Sequence, residues 1–272
     1  MRDALTRSNN RAAVHLLERI GASNVVSYAR RLGIESDLPA VPSLALGTGE
    51  VTLLELTAAY MPFANGGLRH EPLLVTRVED AAGRALYQAS VQAERVLQPA
   101  TAFLMTSMLS DVVNQGTGTA VRAAGLRGPA AGKTGTTDRF YDAWFIGYTP
   151  TLVAGVWFGS DQPSAIAGAG SAATIAAPAW GAFMAAAVPD NARRGFSVPG
   201  DLVRVEICRV SGLRPHAGCR RATWQPEDED NDRPMVYEEL FTEDHVPTEY
   251  CKDHSSFGWF RIRDWFRIKR QD

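Results

Sequence analysis

Lysine is the scarcest charged residue of this 272-residue chain: Lys133, Lys252 and Lys269 stand against 25 arginines. Any motif that needs a lysine can therefore be tested at three positions. Cysteine is equally sparse, with Cys208, Cys219 and Cys251 all in the last quarter. A disulfide-stapled scaffold is excluded for everything before them. Neither sign of charge dominates: the formal net charge is −2, which leaves no basic field for a nucleic-acid partner. The opening "MRDALTRSNNRAAVHLL" is polar, arginine-bearing and helical in pattern, without the apolar core of a signal peptide. No charged side chain occurs between Asp161 and Asp190. The most apolar part of that stretch contains Pro178 and falls short of the ~20 residues a membrane span requires, so a buried helix is expected there. Lacking an export or anchoring segment of its own, the chain is expected to be a piece of a longer protein.

What is present can fold: 45% of residues are apolar and 21% charged, enough to bury a real core. "RAAVHLLERIG" places Val14, Leu17 and Ile20 near one helix face and stops at Gly21. "SNVVSYARRLG" predicts a second helix with Ser23 as N-cap. "TLLELTAAYMPFANGG" opens with a capping box, Thr52 and Glu55, and ends at Gly66-Gly67. A hairpin is predicted around Asp80 to Gly83, and a helix from Pro99 to the residue before Gly116. "YDAWFIGYTPTLVAGVWFG" reads as two antiparallel strands broken at Thr149-Pro150-Thr151. Helices, then strands, then a helix predict an α+β fold, an antiparallel sheet flanked by helices, over residues 1–190.

Residues 191–272 read as a cysteine-bearing, partly irregular extension. The acidic run Glu227 to Asp232 predicts a solvated loop. Residues 257–270 interleave aromatics with arginines. They suit either contact with a membrane surface or an edge strand or helix whose arginine stems cover Trp259 and Trp265. The cysteines admit two readings. One is a disulfide, Cys219 with Cys251 or Cys208, leaving one thiol free. The other is a zinc set from the mirror-related pairs His216/Cys219 and Cys251/His254. Four ligands drawn from two isolated pairs make a weak pattern, so the expectation is a disulfide, no metal and no cofactor.

The stretch "AAGKTGTT", Ala130 to Thr137, poses the functional question. As a P-loop it would need a glycine at position 127, where Arg127 stands, and a helix after the lysine; "DRFYDAWFIGY" is strand-like instead. Nucleotide binding fails on both spacing and context. The other reading is the K-T-G box of serine acyl-transferases, which travels with S-x-N and S-x-x-K boxes. Ser8-Asn9-Asn10 supplies an S-x-N, although on its own that pattern equally suits a helix N-cap.

The order of the boxes, together with "SLALGTGEVTLLELTAAYMPFANGG", "DVVNQGTGTAVR" and "AAGKTGTTDRFYDAWFIGYTPTLVAGVWFG", strongly resembles the transpeptidase domain of class A (bifunctional) penicillin-binding proteins, from about Asp3 to Val188 and more loosely through "VPTEYC". The resemblance implies the fold shared by penicillin-binding proteins and serine β-lactamases, here incomplete at its N-terminus. It also implies cleavage of the terminal D-Ala-D-Ala bond of a peptidoglycan stem peptide through a serine acyl-enzyme, cross-linking by a second strand's amine, and acylation by β-lactams. By motif match, Lys133 would lend positive charge to the substrate carboxylate and to Ser8, and Ser8 would relay a proton to the leaving nitrogen. Asn10 would hydrogen-bond the substrate amide. Thr134 and Thr136 would offer hydroxyls to the carboxylate, the Thr136 N–H would supply half of an oxyanion hole, and Gly135 would leave room for the substrate strand. The "GTGT" at Gly116 to Thr119 is expected to turn near the cleft or simply to end a helix.

One box is absent. Three residues before the lysines stand Ala130, Glu249 and Phe266, so no S-x-x-K exists in this chain. The nucleophile is expected upstream, in a parent protein anchored to the cytoplasmic membrane and acting outside it. A fragment of an ordinary enzyme is expected over a degenerate scaffold relative, because Ser8, Asn10, Lys133, Thr134 and Gly135 all match. A β-lactamase or β-lactam sensor is the alternative within the same chemistry.

Overall fold

The computed structural model describes residues 1–162, 164–166, 168, 170–189, 194–225 and 232–254. They form two compact units, Met1–Pro199 and Gly200–Asp272.

The first unit begins with α1 (Arg2–Thr6), α2 (Asn10–Ile20) and α3 (Ala22–Leu32), followed by α4 (Leu53–Ala59) and α5 (Met61–Ala64). Short strands β1 (Leu68–Arg69), β2 (Arg77–Glu79), β3 (Ala85–Gln88) and β4 (Glu94–Arg95) lead to α6 (Pro99–Gln115) and α7 (Ala120–Ala123). Then come β5 (Ala131–Thr136), β6 (Ala143–Tyr148), β7 (Val153–Phe158) and α8 (Ala177–Ala187). The result is α+β, as predicted. The capping box is made: Thr52 Oγ1 accepts from the Glu55 N–H at 3.1 Å while the Glu55 carboxylate accepts from the Thr52 N–H at 3.1 Å. The helix expected from it breaks in two at Tyr60, because Pro62 starts a new first turn and cannot continue the old one. Gly21, at φ 89°, separates α2 from α3 and takes the N-cap position predicted for Ser23. The β2–β3 hairpin turns where predicted, with the Asp80 carboxylate accepting from the Ala82 and Arg84 N–H groups.

Strands β5, β6 and β7 form an antiparallel sheet in that order, so β5 is an outer strand. Glycines on it mark where helices press close. A Cβ on Gly147 would stand 2.9 Å from the Trp180 ring of α8, and one on Gly155 would stand 2.1 Å from Thr57 of α4. One sheet face thus packs Phe145 against Trp180 and Met184 with Val113, Val121 and Leu126. A second cluster joins Tyr148 and Ala131 to Leu109 and Val112 of α6. The charge-free stretch contains a helix, α8, after a π turn, and only one face of it is buried. Ala177, Trp180, Gly181 and Met184 are inside while Phe183 is 53% exposed, a correction to the buried helix expected there. No helix among the described residues is long and apolar enough to cross a membrane.

The second unit contains β8 (Leu202–Cys208), α9 (Ala217–Arg221), β9 (Thr223–Trp224), β10 (Arg233–Pro234) and β11 (Val236–Thr242). Antiparallel β8 and β11 pair from Leu202↔Thr242 to Cys208↔Val236. A further bridge joins Arg214 to Tyr250. The core is small: Cys208, Cys219, Met235 and Cys251 are buried, with Ala222, Trp224 and Val236 against them. Here the expected disulfide is corrected. Cys219 and Cys251 are free thiols, as is Cys208, and all three surround His254. Cys208, the last residue of β8, lies in the same cluster as Cys219 and Cys251. His216 does not join them: its Nδ1 accepts from the Gly218 N–H at 2.9 Å and caps α9. Most of the acidic run, Glu227 to Asn231, and all of the aromatic-basic segment 257–270 lie outside the described residues.

Candidate active site

The S-x-N and K-T-G boxes lie 125 residues apart and meet in the fold. Helix α1 is pinned to α6 by Arg2, whose guanidinium donates to the Asp111 carboxylate at 2.9 Å and to the Ser107 carbonyl and hydroxyl, each at 3.0 Å. Charge-assisted bonds of this kind are among the stronger ones available to a short helix that could not persist alone. The helix ends in a tight reversal, with the Ser8 N–H donating to the Leu5 carbonyl and the Asn9 N–H to the Ala4 carbonyl. Ser8 takes φ 55°, the left-handed region that non-glycine residues seldom occupy. The helix-cap alternative belongs to its neighbour: Asn9 Oδ1 accepts from the Ala12 N–H at 3.0 Å. Ser8 is thereby released from capping, and Asn10 is the exposed first residue of α2.

Lys133 projects from outer strand β5, and its Nζ donates to Ser8 Oγ at 2.8 Å, to the Thr134 carbonyl at 3.0 Å and, more weakly, to Thr134 Oγ1 at 3.4 Å. It makes no ion pair with a carboxylate among the described residues. Burial therefore acts unopposed on the ammonium and pulls its pKa down to about 8. A half-buried cation without an anion, beside a strand edge, is a site prepared to receive a negative group.

The remaining K-T-G residues are held by partners that sequence reasoning did not assign. Thr134 Oγ1 is 2.6 Å from Thr117 Oγ1. The loop carrying Thr117 sits directly on α1, since the Thr117 N–H donates to the Thr6 carbonyl at 3.3 Å and a Cβ on Gly116 would fall 2.3 Å from that same oxygen. "GTGT" thus both ends α6 and reaches the site. Thr136 Oγ1 accepts from the Ala172 N–H at 3.0 Å, which leaves its own proton to donate elsewhere. Beyond β5, Asp142 closes the loop: its N–H donates to Thr137 Oγ1 at 2.7 Å and its carboxylate accepts from the Trp157 indole at 2.9 Å. The intervening Arg139 and Phe140 both have positive φ. Arg2, Thr117 and Asp142 carried no motif; only the repeated Gly-Thr pairs around Thr117 signalled one of them. Strand β5 runs through a single 3-10 turn, Asp138–Phe140, into β6, so no α-helix N-terminus follows Lys133 to hold a phosphate.

A family model described as the penicillin-binding protein transpeptidase domain matches residues 1–179. The chain belongs to the penicillin-binding protein transpeptidase family. A second model, the C-terminal domain of penicillin-binding protein 1A, matches residues 198–256. Penicillin-binding protein 1A of Neisseria lactamica is 38% identical over 209 residues, covering 75% of this chain and 26% of that protein. Its counterpart from Pseudomonas aeruginosa is 31% identical and covers 88% of this chain and 35% of that protein. The chain thus spans about a quarter to a third of the length of these curated relatives. Among solved structures, penicillin-binding protein 1A of Haemophilus influenzae superposes with a TM-score of 0.79 at 25% identity, over 92% of this chain and 41% of that one. PonA1 of Mycobacterium tuberculosis in complex with penicillin V gives 0.64 at 26% identity, over 73% and 59%. The resemblance to the C-terminal portion of class A penicillin-binding proteins therefore extends over both units.

Proposed function

We propose that this chain is the carboxylate-binding and proton-relay half of a peptidoglycan D,D-transpeptidase of the class A type, acting outside the cytoplasmic membrane and open to β-lactams. The observation that carries the reading is the 2.8 Å bond from Lys133 Nζ to Ser8 Oγ, which joins the two boxes into one site. A stem peptide ending in D-Ala-D-Ala would lie along the outer edge of β5, and its terminal carboxylate would supply the anion Lys133 lacks. Thr136, whose Oγ1 accepts from the Ala172 N–H and keeps its own proton, and the Thr134 hydroxyl would bind the carboxylate oxygens. Asn10 would donate to the substrate amide from the start of α2.

Ser8 is suited to pass a proton. Its oxygen accepts from Lys133, so its own proton is free to move to a leaving nitrogen and be replaced from the ammonium. The nucleophile and its activating lysine belong to the S-x-x-K box, which this chain does not contain, so the acyl-enzyme would form on a serine upstream. Labelled penicillin tests both parts. This chain should take up no covalent label, and a version extended upstream through an S-x-x-K should label at that box. Labelling of any serine in the short chain would overturn the division of the site; no labelling of the extended protein would overturn the transpeptidase reading.

A further inference from the structure

The second unit holds a cluster that transpeptidase chemistry does not use. The sulfurs of Cys208, Cys219 and Cys251 and Nδ1 of His254 all lie within 4.8 Å of one another. The three sulfur-to-nitrogen distances are 3.5, 3.7 and 3.4 Å. A single imidazole nitrogen has one proton or one lone pair, so it can make one hydrogen bond and not three. Tetrahedral zinc, with bonds of about 2.3 Å to sulfur and 2.0–2.1 Å to nitrogen, requires sulfur-to-nitrogen separations of about 3.5 Å. The three sulfur-to-nitrogen distances match that separation.

Three further features support a bound metal. The four ligands come from three separate pieces of chain: Cys208 from the end of β8, Cys219 from α9, and Cys251 with His254 from one turn next to the Arg214–Tyr250 bridge. The turn after Cys208 is closed by the Gly212 N–H on the Cys208 carbonyl at 2.8 Å, with Gly212 at φ 69°. Gly218 permits the closest approach: a Cβ there would stand 1.9 Å from the His254 carbonyl, so the residue beside Cys219 must be glycine for His254 to reach the cluster. Finally, three of the four buried residues of this small cluster are the cysteines themselves. A unit of this size with so little apolar burial needs a staple.

We propose that Cys208, Cys219, Cys251 and His254 form a structural zinc(II) site in the C-terminal unit, in place of the disulfide expected from sequence. Binding would release the three thiol protons to solvent and leave the ion four-coordinate and closed, without an open position for catalysis.

The test is metal analysis of the full 272-residue chain, purified without chelator, by inductively coupled plasma mass spectrometry, together with mass spectrometry under non-reducing conditions. One zinc per chain and no internal disulfide are expected. Cys208→Ser is the discriminating variant against a Cys219–Cys251 bridge, because it spares both of that bridge's cysteines. It should fall below about a tenth of wild-type zinc content. Should it misfold, His254→Cys keeps the result readable: a set of four cysteines also binds zinc and should retain full content. His216→Ala, outside the ligand set, should retain it as well. A metal-free wild type carrying a Cys219–Cys251 disulfide would overturn the site, as would zinc content unchanged by Cys208→Ser. Penicillin labelling, whatever its outcome, leaves this result unaffected.

Discussion

The two units hold their polar centres in opposite ways. In the first, a broad apolar core of Phe145, Tyr148, Trp180, Met184 and their neighbours positions a cation that has no anion. In the second, the sulfurs and the imidazole are themselves the centre of the core, and only Met235, Ala222, Trp224 and Val236 pack around them. A site that depends on an external core can be left electrostatically unfinished, because its fold does not depend on filling it. A site that is the core cannot. The first arrangement suits a group that must bind substrate, and the second suits one that must not move. If so, damage to the first should appear in activity and damage to the second in folding.

The largest effect should come from stripping the metal. Chelation under mild denaturant should abolish the native fold of the second unit, with an apparent cost on the order of 10 kcal/mol at neutral pH, while the first unit keeps its packing. Limited proteolysis should then cut the region after Gly200 and spare the region before Pro199. Equal protection of both would break the contrast.

Next is Lys133→Ala in the upstream-extended protein. If Lys133 supplies the charge for the substrate carboxylate, its loss should slow penicillin acylation about 10²–10³-fold. Its thermal midpoint should stay the same or rise, because the variant removes a half-buried ammonium without a counter-ion. A large drop in midpoint would mean that Lys133 serves the fold.

Glycines of β5 separate the two kinds of demand within one strand. A Cβ on Gly132 would lie 2.8 Å from the buried Phe145 ring and 2.9 Å from the Ile146 carbonyl, whereas on Gly135 its nearest neighbour is Trp144 Cβ at 3.4 Å. Gly132→Ala should therefore cost about 1–3 kcal/mol in urea unfolding. Gly135→Ala should stay within about 0.5 kcal/mol and, if a peptide lies along the strand, weaken acylation nonetheless. Loss of stability at Gly135 would make it a packing glycine like the others.

These contrasts also mark what sequence could disclose. The β6–β7 hairpin was legible as two period-2 runs, a local pattern. The S-x-N and K-T-G boxes took their meaning from the resemblance of whole segments, and the fold brings Ser8 and Lys133 to 2.8 Å. The partners of those boxes are not local. Thr117 reaches Thr134 through a loop seated on α1, and Arg2 fixes that helix by contacts with α6, more than 100 residues away in sequence. No periodicity encodes either contact. The cysteines misled for the same reason. His216 and Cys219 have ligand-like spacing, yet β8 delivers Cys208 to the cluster while the His216 ring turns to cap α9. The break at Tyr60 was legible in Pro62 and was outweighed by the long apolar pattern around it.

The smallest effect concerns one proton and should show opposite signs in two measurements. Folded Lys133 releases its proton near pH 8, whereas an unfolded lysine holds it to about 10.4. Between those values the unfolded chain binds more protons, so stability should rise with pH across that window and be lowest below it. Solvent screening at a half-buried site should keep the gain under about 2 kcal/mol, visible as a shift in urea midpoint between about pH 7.5 and 9.5 that Lys133→Met removes. Acylation of the extended protein should move the other way, falling as pH passes 8, because the charged form binds the carboxylate. If both rose together, the neutral amine would be the working form, and Lys133 would act as a base toward Ser8 instead of as a charge for the substrate.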